Sequence, residues 1–169
     1  VLTNIGAILP QTLETGKIAA CLIVRNGEAT LKRCLDSLVG QVDGIFVCFG
    51  GVSTDRTREI ILSHPLVKAT NEYTEDLAPD GSINNFAAAR NKSFELIPPD
   101  YTWIIWCDAD DAIEGDLRKL VADVPADIGF VWLPYFYAHD EYGNATTVFD
   151  RERVLRRSVG WRWRRRVHE

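Results

Sequence analysis

The sequence contains no methionine and no apolar run near the ~20 residues that a membrane-spanning helix needs. Its N-terminus also lacks the basic-then-apolar layout of a secretory signal. We therefore expect a cytoplasmic protein with no transmembrane segment. Because the chain begins at Val1 and has no methionine, we expect flanking sequence to be missing, and an extension of the natural chain beyond residue 169 is left open.

Cysteine is scarce, and none of the four cysteines stands at the spacing of a metal site. Cys21, Cys48 and Cys107 fall in predicted strands, and Cys34 falls on a predicted helix. A disulfide framework needs a secreted context, for which nothing in the sequence argues. We expect four small core residues in a reducing compartment.

Positive charge is sparse until the end of the chain. The net charge is −5, yet eight arginines follow residue 150 against only two acids, Glu152 and Glu169. The eight are Arg151, Arg153, Arg156, Arg157, Arg162, Arg164, Arg165 and Arg166. An acidic body with a basic end indicates that the end faces an anion, such as a diphosphate, nucleic acid or a membrane surface.

Apolar runs of strand length alternate with helical spacing along most of the sequence. The pattern predicts strands at 17–24, 42–49, 66–69 and 101–107, and helices at 29–39, from Asp55 to His64, at 86–96 and at 116–121. Residues 1–16 are predicted as an irregular arm, 71–85 as a loop, 128–137 as an edge strand with Pro134, and 148–155 and 159–167 as further strands. This order predicts one α/β domain with a mostly parallel central sheet, helices on both faces and a small antiparallel C-terminal part.

The most informative stretch is the apolar run that begins at Tyr101 and ends in three acids, Asp108, Asp110 and Asp111. Like charges packed at the end of a buried strand are costly unless a cation or hydrogen-bond donors compensate them. Ligands of open α/β sheets bind at the carboxyl ends of the strands, and carboxylates suit Mg²⁺ or Mn²⁺. The alternative is a solvated acidic turn or a helix N-cap.

Several motifs occur in the order found in one known family. They are Ala20–Ser37, which looks like the opening strand and helix, Ser53–Thr57, Phe86–Asn91, Asp108-Ala109-Asp110-Asp111, and the terminal Val167-His168-Glu169. With these motifs, residues 17–169 resemble the family 2 glycosyltransferases of the GT-A fold, in particular a bacterial subgroup with DADD and VHE motifs. The resemblance implies a GT-A nucleotide-sugar-binding domain over 17–169.

The resemblance further implies a metal-dependent transfer of a sugar from a nucleoside diphosphate sugar, most simply a UDP-sugar, to an acceptor hydroxyl with inversion. The acceptor is unknown and could be a saccharide, a lipid or a protein. Asp110 would ligate Mn²⁺ or Mg²⁺, with His168 as a further metal ligand, a diphosphate contact or a structural residue. Glu169 would be the catalytic base, unless it is only a solvated terminal residue.

The implied nucleotide-binding residues are Arg25, Asn26, Glu28, Asp55, Arg90 and Asp108. Arg90 presents a fork of donors suited to phosphate or a base edge, although a helix-surface salt bridge would also explain it. Asp55 is equally interpretable as a helix cap.

Three positions depart from the family pattern. Gly27 stands where the family usually has an acid, Gly50 where an aspartate would read the nucleobase, and Asn85 where the subgroup tends to have an acid. These departures leave the nucleobase undetermined.

The C-terminal stretch alternates Trp161 and Trp163 with arginines, which suits a sugar ring, a phosphate, single-stranded nucleic acid, or only the charged face of an edge strand. Nucleic acid is not expected as a partner, because the acidic body would oppose a long polyanion. The alternative to a transferase is a non-catalytic carbohydrate or nucleic-acid binding module derived from one.

Overall fold

The computed structural model describes residues 16–166, which form an α/β domain. Its strands are β1 Lys17–Val24, β2 Gly44–Gly50, β3 Val67–Tyr73, β4 Tyr101–Asp108, β5 Phe130–His139 and β6 Ala145–Arg156. Its helices are α1 Glu28–Ser37, α2 Thr57–Ser63, α3 Phe86–Glu95 and α4 Leu117–Ala122, and a 3₁₀ turn spans Arg157–Val159.

One six-stranded sheet runs through the domain in the order β3-β2-β1-β4-β6-β5. The four strands from β3 to β4 are parallel, whereas β6 is antiparallel to β4 and β5 is antiparallel to β6. In the centre of the register, Cys21 of β1 lies between Phe46 of β2 and Trp106 of β4. The predicted fold class, with its small antiparallel C-terminal part, is confirmed.

Side chains of β4 alternate between two cores, one on each face of the sheet. Trp103 and Ile105 belong to the core that includes Leu31 and Leu35 of α1. Trp106 belongs to the core that includes Phe94 of α3. Helices therefore cover both faces of the parallel part, as predicted, which is why β1, β2 and β4 are continuous apolar runs.

The four cysteines are buried and free, as the sequence predicts. Burial raises the pKa of the Cys34 thiol to about 12, with the neighbouring acid Asp111 adding to the shift. Burial likewise raises the pKa of Cys48 to about 12. Among residues 16–166 there is no helix long and apolar enough to cross a membrane.

Pro134 lies in an edge strand, since β5 is the outermost strand, and this prediction is confirmed. An edge strand tolerates proline because one side of it makes no ladder hydrogen bonds. β3 is longer than predicted and includes the first residues of the predicted 71–85 loop. β3 is an outer strand of the sheet, and its polar side chains, such as Asn71, lack the apolar pattern from which a strand is predicted.

The prediction of a strand at 159–167 is wrong for its described part. After the 3₁₀ turn, residues 160–166 run without regular structure across α3. The reason is that side chains fix this segment: the Trp161 indole donates to the Gly129 carbonyl (3.2 Å), and the Asn91 amide pairs with the Trp163 backbone (2.9 and 3.0 Å). The predicted N-terminal arm lies, apart from Gly16, outside the described residues.

Candidate functional site

The site lies at the end of the sheet that is formed by the carboxyl ends of the parallel strands. Arg25 and Asn26 follow β1, the segment 51–57 follows β2, and Asp110 follows β4. These strands are neighbours and point the same way, so their carboxyl ends lie side by side at one end of the sheet. The motif residues that follow β1, β2 and β4 therefore come together.

Arginines compensate two of the three acids. Asp108 pairs with Arg90 (3.1 Å) and, through its other oxygen, with Arg153 (3.5 Å). Arg153 also pairs with Asp111 (3.1 Å), whose second oxygen accepts a hydrogen bond from the Tyr135 hydroxyl (2.9 Å). The compensation that the sequence requires for this cluster thus comes largely from the protein itself.

Arg153 and Tyr135 were not foreseen as site residues. Arg153 is only 5% exposed, and its guanidinium carbon lies 3.8 Å from the Trp106 ring centroid. Burial, followed by the charge of Asp111, raises the pKa of Tyr135 to about 12, so the hydroxyl keeps its proton and remains a donor. An arginine directly before the apolar pair Val154-Leu155 is the signal that could have indicated Arg153.

Arg90 makes a salt bridge, but not the solvated one considered from the sequence. Its side chain is 11% exposed, and its guanidinium carbon lies 4.6 Å from the Trp106 ring centroid and 5.3 Å from that of Trp163. Two faces of aromatic surface thus fix the guanidinium beside Asp108. This arrangement leaves a buried cation at the edge where a ligand would enter.

Asp110 differs from its neighbours because its side chain is exposed and accepts no hydrogen bond from residues 16–166. Its backbone carbonyl instead accepts from Arg33. Within the same range there is no group of three His, Cys, Asp or Glu side chains that could hold a metal. Mg²⁺ commonly binds through one or two carboxylates, water and substrate phosphates, so a single free carboxylate fits such an ion.

Two loops at the ends of β1 and β2 are joined through the side chains that are predicted to bind a nucleotide. Asn26, at φ 50°, accepts from the Thr54 amide (2.8 Å) through its side chain and donates its own amide to the Ser53 hydroxyl (3.1 Å). Asp55 accepts from the amides of Glu28 and Thr57, both at 3.0 Å. Asp55 therefore connects the starts of α1 and α2, which matches its interpretation as a cap.

Glu28 completes this connection through Arg56. Its carboxylate accepts from the Arg56 backbone amide (2.9 Å) and side chain (2.7 Å). These bonds, the backbone one foremost, lower the pKa of Glu28, and the hydrogen bond from Thr57 lowers that of Asp55. Both stay ionised near neutral pH and hold the loops; a nucleotide-binding role for Asn26, Glu28 and Asp55 stays a prediction.

Arg25 reaches across to the loop between β3 and α3. Its guanidinium donates to the Asp80 carbonyl (2.6 Å) and to the Val52 carbonyl (3.4 Å). Gly50 and Asn85, two of the departures from the family pattern, lie against or in this loop. A side chain on Gly50 would meet Ile83 of this loop at 2.3 Å, and Asn85 caps α3 by accepting from the Ala88 amide (3.0 Å).

The C-terminal segment ends at the same edge of the sheet. The Arg166 carbonyl accepts from the amide of Phe86, the first residue of α3, at 2.9 Å, and the Arg166 side chain pairs with Asp76 (2.9 Å). Because α3 connects the end of β3 to the start of β4, its N-terminus lies on the side of the candidate site. His168 and Glu169 lie outside the described residues.

Two solved structures of S. aureus TarS resemble this domain. S. aureus TarS 1–349 in complex with UDP matches with a TM-score of 0.51 and 20% identity over 63% of this chain and 31% of that one. A second structure of S. aureus TarS matches with a TM-score of 0.51 and 18% identity over 63% of this chain and 19% of that one. The fold is that of the GT-A glycosyltransferases.

The sequence comparison identifies the family. The family model described as glycosyl transferase family 2 matches residues 20–165, which is most of the chain. The protein belongs to glycosyl transferase family 2.

Two uncharacterized mycobacterial proteins, from Mycobacterium bovis and Mycobacterium tuberculosis, are each 32% identical to it over 154 residues. That match covers 87% of this chain and 37% of theirs. A TPR repeat-containing protein of Synechococcus elongatus is 35% identical over 109 residues, covering 64% of this chain and 23% of its own. The chain thus spans well under half the length of these relatives.

Proposed function

We propose that this domain transfers a sugar from a nucleoside diphosphate sugar, most simply a UDP-sugar, to an acceptor hydroxyl with inversion. The observation that carries the proposal is that the acids at and just after the end of β4 differ in their contacts. Asp108 is fixed between two arginines, whereas Asp110 is exposed and free to bind a cation. The family membership and the UDP complex of TarS support the same donor class.

In this proposal the chain's own charges receive the donor. Arg90 and Arg153 hold Asp108 in one orientation, from which it accepts a hydrogen bond from the ribose or from a metal-bound water. The two joined loops, Arg25–Glu28 and Ser53–Thr57, form the wall of the nucleoside site that faces Asp108. Because their side chains are already hydrogen-bonded to one another, the wall needs little reordering when the nucleotide binds.

Asp110 would hold Mn²⁺ or Mg²⁺, with His168 as a second ligand. Once bound, such an ion stabilises the negative charge that builds on the departing diphosphate. Glu169 would take the proton from the acceptor hydroxyl. The proposal for these two terminal residues is supported by Arg166, which lies beside the N-terminus of α3 at the edge that carries the β4 acids.

A cytoplasmic location belongs to the same proposal. Nucleoside diphosphate sugars are cytoplasmic donors for many transferases, and four free buried cysteines suit a reducing compartment.

Calorimetric titration tests the donor site. UDP, GDP, ADP and CDP are each titrated with and without manganese into the wild type, Asp110→Ala and the control Asp127→Ala. Asp127 is exposed in the turn before β5, at the end of the sheet opposite the candidate site. We expect manganese-dependent binding of one nucleotide, UDP, to be lost in Asp110→Ala and kept in Asp127→Ala.

Two results would contradict the proposal. The first is that no diphosphate binds under any condition, which would leave a non-catalytic binding module as the better account. The second is that binding survives Asp110→Ala with its manganese dependence unchanged, which would remove Asp110 from the metal site.

A further inference from the structure

An aromatic cleft of 240 Å³ lies outside the acid cluster, between α3, the β5–β6 hairpin and the segment 160–166. We define it by five lining residues, Trp106, Phe130, Trp132, Trp161 and Trp163. Two polar side chains, Glu152 and Arg162, also line it. α3 covers the parallel strands on this face of the sheet. The irregular segment 160–166 covers the neighbouring antiparallel strands, and the cleft lies between the two.

Three pairs of rings in the aromatic cleft meet edge to face, at interplanar angles from 73° to 88°, and so hold each other in place. Phe130 makes edge-to-face contacts with Trp132 and Trp161, both at 5.7 Å between ring centroids. Trp106 and Trp163 do the same at 4.8 Å. Such contacts fix flat apolar surfaces before any ligand arrives.

One polar group of a side chain that lines the aromatic cleft is buried without a partner among residues 16–166. The indole nitrogen of Trp163 has no hydrogen-bond acceptor within residues 16–166. By contrast, the indole nitrogen of Trp106 donates to the Glu152 carbonyl (2.7 Å) and that of Trp161 donates to the Gly129 carbonyl. Buried donors are normally satisfied, so the Trp163 nitrogen is an exception among these three indoles.

The chemistry of the aromatic cleft suits a pyranose ring. A sugar presents an apolar face of C–H groups to an aromatic ring and hydroxyl groups at its edge, for which Glu152 and Arg162 supply polar partners in the lining. Trp132 is 52% exposed and Trp161 36% exposed, so two stacking surfaces are open to solvent. The volume of 240 Å³ is below the roughly 300–1,000 Å³ of sites for drug-sized ligands, which favours a single ring.

Trp106 connects the aromatic cleft to the arginines that pair with the acid cluster. Arg90 and Arg153, which both pair with Asp108, stack against the Trp106 ring at 4.6 and 3.8 Å. The Trp106 ring in turn lines the aromatic cleft. A sugar bound there would lie one layer of side chains away from the arginines of the proposed donor site.

We propose that the aromatic cleft binds a pyranose ring of a saccharide acceptor. That the bound saccharide is the acceptor rests on the proposed transfer function, whereas saccharide binding itself can be measured without turnover. The inference assigns the acceptor to the saccharide class rather than to a lipid or a protein.

Nitrogen-15 NMR of the tryptophan indoles gives a direct readout, because the chain has only five tryptophans. Methyl glycosides of glucose, galactose, mannose and N-acetylglucosamine are titrated separately into the labelled protein, with each indole signal assigned by substitution. We expect at least one glycoside to shift the signals of Trp132, Trp161 and Trp163. The signal of Trp103 is the internal control, since its ring belongs to the core on the other face of the sheet.

Two variants complete the experiment. Trp132→Ala removes an open stacking surface, and we expect it to weaken glycoside binding about tenfold. Tyr142→Ala, which removes an aromatic ring that is 81% exposed in the hairpin turn, should leave binding unchanged. No shift with any glycoside, or equal binding by Trp132→Ala and the wild type, would overturn the inference.

Calorimetry separates the two proposals. If UDP binds with manganese and no glycoside moves the cleft signals, the aromatic cleft inference fails and the donor proposal stands. If a glycoside binds and no diphosphate does, the aromatic cleft stands as a saccharide site and the transfer proposal fails.

Discussion

The parallel strands and the antiparallel hairpin of this sheet differ in their burial. β1 and β2 are buried on both faces, whereas the outer half of the hairpin, including Phe136, Tyr137 and Val148, is exposed on both. The two regions nevertheless meet at one point, because Arg153 of β6 pairs with the acids that follow β4. The parallel part thus supplies the scaffold, and the antiparallel part supplies the counter-charge that holds the site together.

The largest expected effect is at this junction. Arg153→Ala leaves the partly buried Asp111 and Asp108 without their shared cation, and breaking a buried ion pair costs about 3–5 kcal/mol. Urea denaturation should show this loss, while Arg164→Ala, which removes an exposed arginine, should change the free energy of unfolding by less than ~0.5 kcal/mol. Equal effects from the two variants would show that the junction is not structural.

A matched pair of aliphatic truncations tests the difference in burial. Ile105→Ala, in β4 at 1% exposure, should cost about 2–5 kcal/mol because it leaves a cavity in the core. Val148→Ala, in β6 at 49% exposure, should cost less than ~0.5 kcal/mol. Urea denaturation of both variants gives the comparison, and a large loss for Val148→Ala would mean that the hairpin is buried in solution.

A smaller effect is expected at the start of α3. Asn85→Ala removes the acceptor for the Ala88 amide and should cost about 1 kcal/mol in thermal or urea denaturation. Asn85→Asp keeps a capping oxygen and also restores the acid that the subgroup tends to have, so it should retain the stability of the wild type. A loss as large with Asp as with Ala would contradict the cap.

The smallest effect is a pH dependence of the joined loops. Because the pKa of Glu28 is lowered from its usual 4.5 in the folded protein, its stabilising contribution is present above pH 4.5 and is lost as pH falls through the folded-state pKa. Thermal midpoints measured from neutral to acidic pH should therefore fall less steeply in Glu28→Gln than in the wild type. Glu141→Gln, in the exposed hairpin turn, should keep the wild-type profile, and an unchanged slope in Glu28→Gln would argue against the loop connection.

The same difference in burial determines what could be predicted from the sequence. The buried strands β1, β2 and β4 are continuous apolar runs, and their predicted bounds are close to those observed. The segment 160–166 alternates tryptophan and arginine as a strand would, yet the Asn91 and Gly129 contacts hold it as an irregular covering. Period-two alternation alone does not distinguish a strand from a segment held by side chains.

The candidate site was predictable where its residues follow strands and not where they come from distant parts of the chain. Asp108 and Asp110 stand at the end of an apolar run, so their position at the sheet edge follows from the pattern. The pairing of Asp108 with Arg153, 45 residues later, depends on β6 returning beside β4, which no local pattern states. The sequence indicated that the charge needed compensation but not which residue provides it.

A crystal structure of the protein with UDP and Mn²⁺ tests the central claim most directly. The account predicts an anomalous manganese peak in direct coordination with an Asp110 oxygen and with the diphosphate, while Arg90 and Arg153 keep their contacts to Asp108. Manganese bound without Asp110, or UDP bound away from the carboxyl ends of β1, β2 and β4, would contradict it.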